Sequence, residues 1–382
     1  LGGISQMPGS SEQAQFLGKA GEALQEGALP MTPQQKAEII ANLPAGLTEH
    51  GEISSASISH ILAATDPSGN RIAVKVKRLG IREALDDNIR VMNVFIDGTN
   101  SFVQTHAQQG VFTNKLQMIA KALPFGLETL KKTVVRDLDF VSERQIQHKA
   151  SEVFNDIPGI IVPSIIEEYS DNNHIAMEEI SAESFKALPA NPKRVENLIA
   201  FGLQSWRKRF FHGDLHGRNI KSHEDGSLVV YDWSKSVDLS PRFVGNVGRL
   251  MYAMTRQNPK AIARAYNHIQ AHPESDKDPT QIASLEAIEK VANDAIQRSK
   301  EAGRSKNIAK NGMIQDFLMT MGSQHQSALN VDYFVFLKSA KDFKEVVKSE
   351  LEKPEYQNKS YRRKVLAKGF VNAFKTVYSR KR

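Results

Sequence analysis

The sequence predicts an α+β protein in two lobes, a smaller sheet-containing lobe with extra helices followed by a mainly helical one. Three observations lead there. A chain of 382 residues can bury more than one core. Extended apolar runs bounded by turn residues cluster at 51–77 and 160–180. Beyond them apolar positions recur mainly at helical spacing, as at Val247, Leu250, Met251 and Met254, a stripe that reads as core packing.

Composition narrows the classes. Hydrophobic residues make up 40% and charged residues 24%, the balance of a soluble globular protein. There is no Cys, which excludes a disulfide framework, a thiolate zinc site and a thiol nucleophile, and fits a reducing compartment. No apolar run is long enough to span a bilayer and no secretory signal is visible, so the expected location is cytoplasmic, with peripheral membrane attachment as an extension. The chain begins Leu1-Gly2-Gly3, as a fragment or processed product would. Net charge is +7, but nine Lys or Arg and no acid lie from Lys359 onward, and without them the balance is −2. The basic character belongs to the tail.

Taken in order, residues 1–15 are polar, rich in Gly and Ser, and expected to be disordered. A helical extension over 16–50 contains Lys19-Ala20-Gly21-Glu22 and a second helix started by Thr32-Pro33 and closed by Pro44. The small lobe is assigned to 51–182. It opens with a hairpin over 51–64 whose small-residue turn, Ser54-Ser55-Ala56-Ser57, lets backbone amides approach a ligand. Asp66-Pro67-Ser68-Gly69-Asn70 turns the chain into the strand Arg71–Lys77, where alternation puts Lys75 and Lys77 on one face. A lone strand Lys is usually just solvated; its place between a small-residue hairpin and a helical region favours a ligand role for Lys75. Residues 83–135 read as a helical insert. Asp137 to Gln145 opens a further helix in which Asp139 and Glu143 share a face. Residues 160–169 and 174–180 read as two strands joined at Asp171-Asn172-Asn173.

The helical lobe is assigned to 183–350, with a helix at 193–209 before the stretch that organises the chain, Phe211-His212-Gly213-Asp214-Leu215-His216-Gly217-Arg218-Asn219-Ile220. His212-x-Asp214-x4-Asn219 is the pattern of a kinase catalytic loop. In that chemistry the Asp handles the nucleophile's proton, while the Asn and a later Asp, here Asp232, hold the metal ions carrying the ATP phosphates. Between them Glu224-Asp225-Gly226 suits a hairpin turn. A lone Asp or Asn in a polar loop is an ordinary turn former; the three at this spacing, with an apolar strand before Asp232, are not. His216 has no second ligand one helical turn away and reads as a structural loop residue.

On these motifs the chain resembles the UbiB family of atypical kinases, associated with ubiquinone biosynthesis, from about Lys19 to Tyr266. Phe211 to Ile220 is similar to the family's F-H-A-D-P-H-P-G-N-I, Tyr231-Asp232-Trp233-Ser234 to its L-D-F-G, and Ser54 to Ser59 to its alanine-rich loop. Asp137 to Glu143 is similar to its E-x-D-x-x-x-E helix, and Lys19 to Glu22 to its K-x-G-Q segment. The resemblance implies a protein-kinase-like fold binding ATP and Mg²⁺. Asp214 would be the catalytic carboxylate, Asn219 and Asp232 the metal ligands, and Lys75 a phosphate contact paired with Glu143. Ser54, Ser55, Ala56 and Ser57 would cover the nucleotide, and backbone groups near Glu178 and Ile180 would hold adenine at the interlobe hinge. Lys19 and Glu22 would face Asp137 and Asp139 and restrain protein phosphorylation. The family implies ATPase or small-molecule phosphotransfer chemistry, with a small lipid or phenolic ligand as a partner.

The departures are Glu22 for Gln, Asp137 for Glu, Leu215 for Pro, and Ser234 for the Gly that eases positive φ in the metal loop. They keep a nucleotide-binding pseudokinase scaffold open as an alternative. A small-molecule kinase of aminoglycoside or choline type is another, since His212-Gly213-Asp214 matches its loop literally. The tail over 351–382 carries Val365, Leu366, Phe370, Phe374 and Val377 on one helical stripe amid Lys and Arg. Such a helix suits an anionic membrane surface, or docking on the helical lobe with its charges solvated. Nucleic acid lacks a supporting motif.

Overall fold

The computed structural model describes residues 32–55, 59–78, 80–81, 138–270, 283–301, 313–325 and 331–378, with isolated positions between 87 and 101. Residues 1–15, the helix expected from Phe16, Lys19, Glu22, Ala56, Ser57, Asp137 and most of the insert over 83–135 lie outside the described residues.

Helix α1 (Pro33–Ala41) starts where sequence chemistry places it. Thr32 Oγ1 accepts from Gln35 N at 3.2 Å and Gln35 Oε1 accepts from Thr32 N at 3.0 Å, a reciprocal cap with Pro33 in the first turn. Strands β1 (Thr48–Ser55), β2 (Ser59–Thr65) and β3 (Arg71–Lys77) follow as an antiparallel meander. The β2–β3 turn is held by Asp66 Oδ1, which accepts from Ser68 N and Asn70 N. Ile39 of α1 is buried with Leu62, Ile72, Val74 and Val76 on one face of this sheet.

Helix α2 (Phe140–Phe154) precedes β4 (Ile160–Ile161) and β5 (His174–Glu178). β5 pairs with β3, completing a sheet of order β1-β2-β3-β5. The expected long strand over 160–169 is a correction. β4 is two residues long and joins a different sheet, and Glu167–Tyr169 form a 3-10 turn. Pro163 lacks the N–H a continuing ladder needs, and its carbonyl accepts from Gln147 Nε2 of α2 at 2.7 Å.

Helix α3 (Pro192–Lys208) leads to β6 (Phe210–Phe211), then to the hairpin β7 (Ile220–Ser222) and β8 (Leu228–Val230), and to β9 (Val237–Asp238). The hairpin turns at Gly226, φ 91°, as the Asp-Gly pair predicts. β8 also pairs in parallel with β4, and β6 pairs with β9.

Helices α4 (Pro241–Thr255), α5 (Pro259–Gln270), α6 (Leu285–Glu301) and α7 (Met313–His325) each pack against the next. Val247, Leu250 and Met254 are buried, so the helical stripe is core as expected. Helix α8 (Val331–Leu351) and helix α9 (Lys359–Tyr378) close the chain.

Contacts group the chain into two compact units, one of residues 1–23, 82–132 and 239–334, the other of 24–81, 133–238 and 335–382. In the second unit, Glu350 of α8 and Arg194 of α3 form a fully buried ion pair at 3.0 Å. Arg194 also donates to Ser222 Oγ and Pro189 O, and Glu350 accepts from Asn191 N. Helix α9 lies on α3 through Val365, Gly369, Ala373 and Val377. Among the described residues no helix is long and apolar enough to cross a membrane.

Candidate nucleotide and catalytic site

Lys75 sits at the centre of β3, flanked by Ile61 of β2 and Ile175 of β5. Its side chain is 10% exposed, and an ammonium so enclosed needs a partner. Helix α2 supplies one: Lys75 Nζ is 2.5 Å from Glu143 Oε1. Asp139 sets that helix's start, accepting from Ser142 N at 3.0 Å and from Ser142 Oγ at 2.7 Å, so Glu143 falls in the first turn. The same ammonium lies 3.8 Å from Asp232 Oδ1. Lys75 and Lys77 both stand over the Phe140 ring, at 5.4 and 4.8 Å, as two residues on one strand face must.

The loop after β6 is built from backbone constraints. Gly213 has φ 81°, and a Cβ there would lie 2.0 Å from Lys235 O, so no other residue fits. Its N–H donates to Ser339 Oγ of α8 at 2.7 Å. His212 Nε2 faces Tyr231 O at 2.8 Å and must donate to it, while Nδ1 accepts from Asp214 N at 3.2 Å. That pair assigns a neutral ring, and burial pushes the His212 pKa below its usual value. The imidazole thus ties the residue before Asp232 to Asp214. Asn219 continues the tie: its Nδ2 donates to Asp214 O at 3.0 Å and its carbonyl accepts from Tyr231 N at 2.8 Å.

Trp233 anchors the loop after β8. It is fully buried among Phe154, Phe201, Phe210 and His212, and its indole donates to Val230 O. Asp232 beside it has φ 52°, a conformation costly for a residue with a Cβ and frequent at functional sites. Ser234, which stands where the family's motif has glycine, donates to Asp232 Oδ1 at 2.7 Å. Crowding opposes ionisation of Asp232, yet the Lys75 ammonium, followed by the Ser234 hydroxyl and Lys235, brings its pKa down to about 2.

Asp214 is 12% exposed and doubly held. Lys235 Nζ donates to Oδ2 at 2.9 Å and Lys338 Nζ of α8 donates to Oδ1. His216 Nε2 is 3.9 Å from Oδ2. Burial alone would push the Asp214 carboxyl up; the two ammonium groups outweigh it and hold the pKa well below the carboxylate range.

The structure therefore brings Lys75, Glu143 and Asp232 into one cluster and joins Asp214 and Asn219 to it through Tyr231. Ser54 and Ser55 end β1, with the hairpin tip outside the described residues. Glu178 ends β5 and is exposed; Ile180 O accepts from Tyr231 Oη at 3.0 Å, linking the segment after β5 to the loop that carries Asp232. Sequence reasoning missed Lys235, Lys338 and Asp342, whose carboxylate accepts from Lys338 Nζ at 2.6 Å. Lys235 could have been noticed three residues after Asp232; Lys338, 124 residues from Asp214, carried no signal.

Among the described residues no cluster of three or more His, Cys, Asp or Glu could hold a metal by itself. The Asn219 amide nitrogen is committed to the loop, so its oxygen is the atom that can meet a cation beside the Asp232 carboxylate. Two hard oxygen donors, completed by phosphate oxygens and water, are what Mg²⁺ takes.

Comparison with known proteins identifies the family. Residues 47–266, more than half of the chain, match the ABC1 atypical kinase-like domain. The chain is 24% identical over 231 residues to "Probable protein kinase UbiB" of Marinobacter nauticus, covering 57% of this chain and 40% of that protein. It is 24% identical over 148 residues to "Atypical kinase COQ8, mitochondrial" of Saccharomyces cerevisiae, covering 39% and 26%. The chain thus spans less than half the length of these relatives. Rv3197 of Mycobacterium tuberculosis, solved in complex with erythromycin, is similar in fold, with a TM-score of 0.50 at 15% identity, covering 88% of this chain and 84% of that one. The α+β architecture with a small N-terminal antiparallel sheet is the one expected. The chain belongs to the ABC1 atypical kinase-like family.

Proposed function

We propose that this protein is a Mg²⁺-dependent, ATP-using phosphotransferase or ATPase of UbiB type, acting in isoprenoid-lipid (quinone) metabolism. The observation that carries the reading is the convergence of Lys75, Glu143 and Asp232, from three separate elements, within 3.8 Å of one ammonium. What distinguishes this pair from the buried Arg194–Glu350 pair is its neighbour: the Asp232 carboxylate, 40% exposed, lies 3.8 Å from the same ammonium.

Glu143 holds Lys75 extended so that its ammonium can meet the α- and β-phosphates. Asn219 and Asp232 would hold a divalent cation, which when bound would draw charge off the phosphate oxygens. By the family resemblance residues 54–57 would cover the phosphates, and backbone groups near Glu178 and Ile180 would receive adenine. In the transfer step an acceptor hydroxyl, or water, bonds to the γ-phosphorus as the bond to the β–γ bridging oxygen breaks. The electron pair leaves with ADP, and the hydroxyl proton passes to Asp214 and then to solvent. The family resemblance carries a restraint on protein phosphorylation at Lys19, Glu22, Asp137 and Asp139. Helix α9, basic and partly apolar on its outer side, is the candidate contact with an anionic membrane.

Asp214→Asn should lower ATP turnover about 10²- to 10⁴-fold, the usual contribution of a positioned base, with Mg·ATP affinity kept. Wild-type turnover in that variant would refute the role. A second reading, a nucleotide-binding scaffold, is favoured by the two lysines engaging Asp214. It gains if the purified protein binds Mg·ATP but releases no phosphate, even with anionic liposomes and quinone-like phenols.

A further inference from the structure

Helix α8 lies beyond residue 266, where the family match ends, yet one of its faces closes on the loop that carries Asp214. Val335, Lys338, Ser339 and Asp342 recur at intervals of three and four residues and so share that face. Ser339 Oγ accepts from Gly213 N, Lys338 Nζ donates to Asp214 Oδ1, and a Cβ on Gly213 would meet Val335 Cγ1 at 2.9 Å. Further along, α8 is anchored in the core. Val346 is buried there, Phe343 lies against Phe201, and Glu350 pairs with Arg194. A helix held at that end has little freedom to carry Lys338 away from the loop.

Charge in the cluster is balanced: Lys338 is shared by Asp214 and Asp342, and Asp232 also lies near Lys235. What the ammonium groups do to Asp214 is therefore geometric. Lys235 Nζ donates to Oδ2 and Lys338 Nζ to Oδ1, so the carboxylate is fixed from both sides. One donor alone would leave it free to swing. Each oxygen keeps a lone pair for an incoming hydroxyl. Phosphoryl transfer depends chiefly on the placement of its reacting groups. We propose that α8 completes the catalytic centre and that Lys338 is a positioning residue, aiming the Asp214 carboxylate at the acceptor hydroxyl or water. The proposal rests on the phosphotransferase reading and adds to it a residue outside the matched domain. Lys338 acts through Asp214, so nucleotide affinity does not depend on it.

The chain contains no Cys, so one thiol can be placed and modified selectively. In the full chain, Lys338→Cys should lower kcat for ATP turnover about 10- to 100-fold, the cost of a misplaced reacting group. KM for ATP and Kd for Mg·ADP should stay within about twofold of wild type, which also reports that the variant folds. Lys338 is 33% exposed, so a thiol at its position is open to reagents. Alkylation with 2-bromoethylamine rebuilds an ammonium on a side chain of lysine's length. Once mass spectrometry shows that alkylation is complete, kcat should return to near the wild-type value. Methyl methanethiosulfonate, which adds a neutral group without a donor, should restore nothing. Lys344→Cys, at an exposed position of the same helix, should keep wild-type kcat before and after alkylation. An unchanged kcat in Lys338→Cys, or one that stays low after complete alkylation with 2-bromoethylamine, would overturn the role. So would a rise in kcat, which would make Lys338 a brake, or a raised KM for ATP with kcat kept, which would place Lys338 on the nucleotide. Wild-type protein that turns over no ATP would sink the phosphotransferase reading and the role with it, whereas wild-type turnover with an indifferent Lys338→Cys sinks the role alone.

Discussion

His212 shows how much one buried ring can decide. It donates through Nε2 and accepts through Nδ1, so it must stay neutral in the folded protein, and its pKa is depressed by burial. Free in the unfolded chain it titrates near 6.5. Below about pH 6.5 the unfolded state binds a proton the folded state refuses, so stability falls as pH decreases toward the folded pKa. Urea denaturation of wild type at pH 7.5 and 5.5 should therefore show a loss that His212→Gln lacks, at most about 1.4 kcal/mol per pH unit across that window. Equal losses in the two proteins would remove His212 as the cause. At this scale the motif was legible where chemistry demands a spacing: the intervals from Asp214 to Asn219 and on to Asp232 stand in the string, and the structure ties the three together through His212 and Tyr231. The place of Lys338 was not legible, because an ordinary surface-helix lysine and one that clasps the Asp214 carboxylate look the same in a string.

At the scale of elements, local chemistry was read more easily than packing. Thr32-Pro33, Asp66 to Asn70 and Asp225-Gly226 each encode their cap or turn in their own side chains, and each is found in place. Helix α9 is different. The apolar stripe expected to act together splits: Val365 and Val377 are buried against α3, whereas Phe370 and Phe374 stay about half exposed and stack on one another and on Tyr378. Close approach chose the face. A Cβ on Gly369 would already meet Ile199 Cδ1 at 3.3 Å and Glu196 Cα at 3.5 Å, so small residues face α3 and large ones cannot. Gly369→Leu should then cost about 1–3 kcal/mol by overpacking. Phe370→Ala, on the outer side, should stay within about 0.5 kcal/mol. Chemical denaturation of both variants measures the contrast, and reversed costs would place the wrong face on α3.

For the molecule as a whole, the residues assigned to the nucleotide come from segments of one compact unit, residues 24–81, 133–238 and 335–382. If Mg·ATP binds there, it stabilises the folded state by mass action, about 2.7 kcal/mol at a hundredfold excess over Kd. The thermal midpoint of wild type should rise with Mg·ATP and that of Lys75→Met should not. An equal rise in both would mean the nucleotide binds without Lys75. The amino-acid order by itself determined the fold class, the catalytic-loop motif and the strand bearing Lys75, because these rest on interactions a few residues apart or on intervals the chemistry imposes. Tertiary structure alone decided that β4 would leave the N-terminal sheet, which face of α9 would be covered, and that α8 would send Lys338 to Asp214. Those outcomes depend on shape and charge meeting across more than a hundred residues of chain, where no periodicity or spacing carries the information.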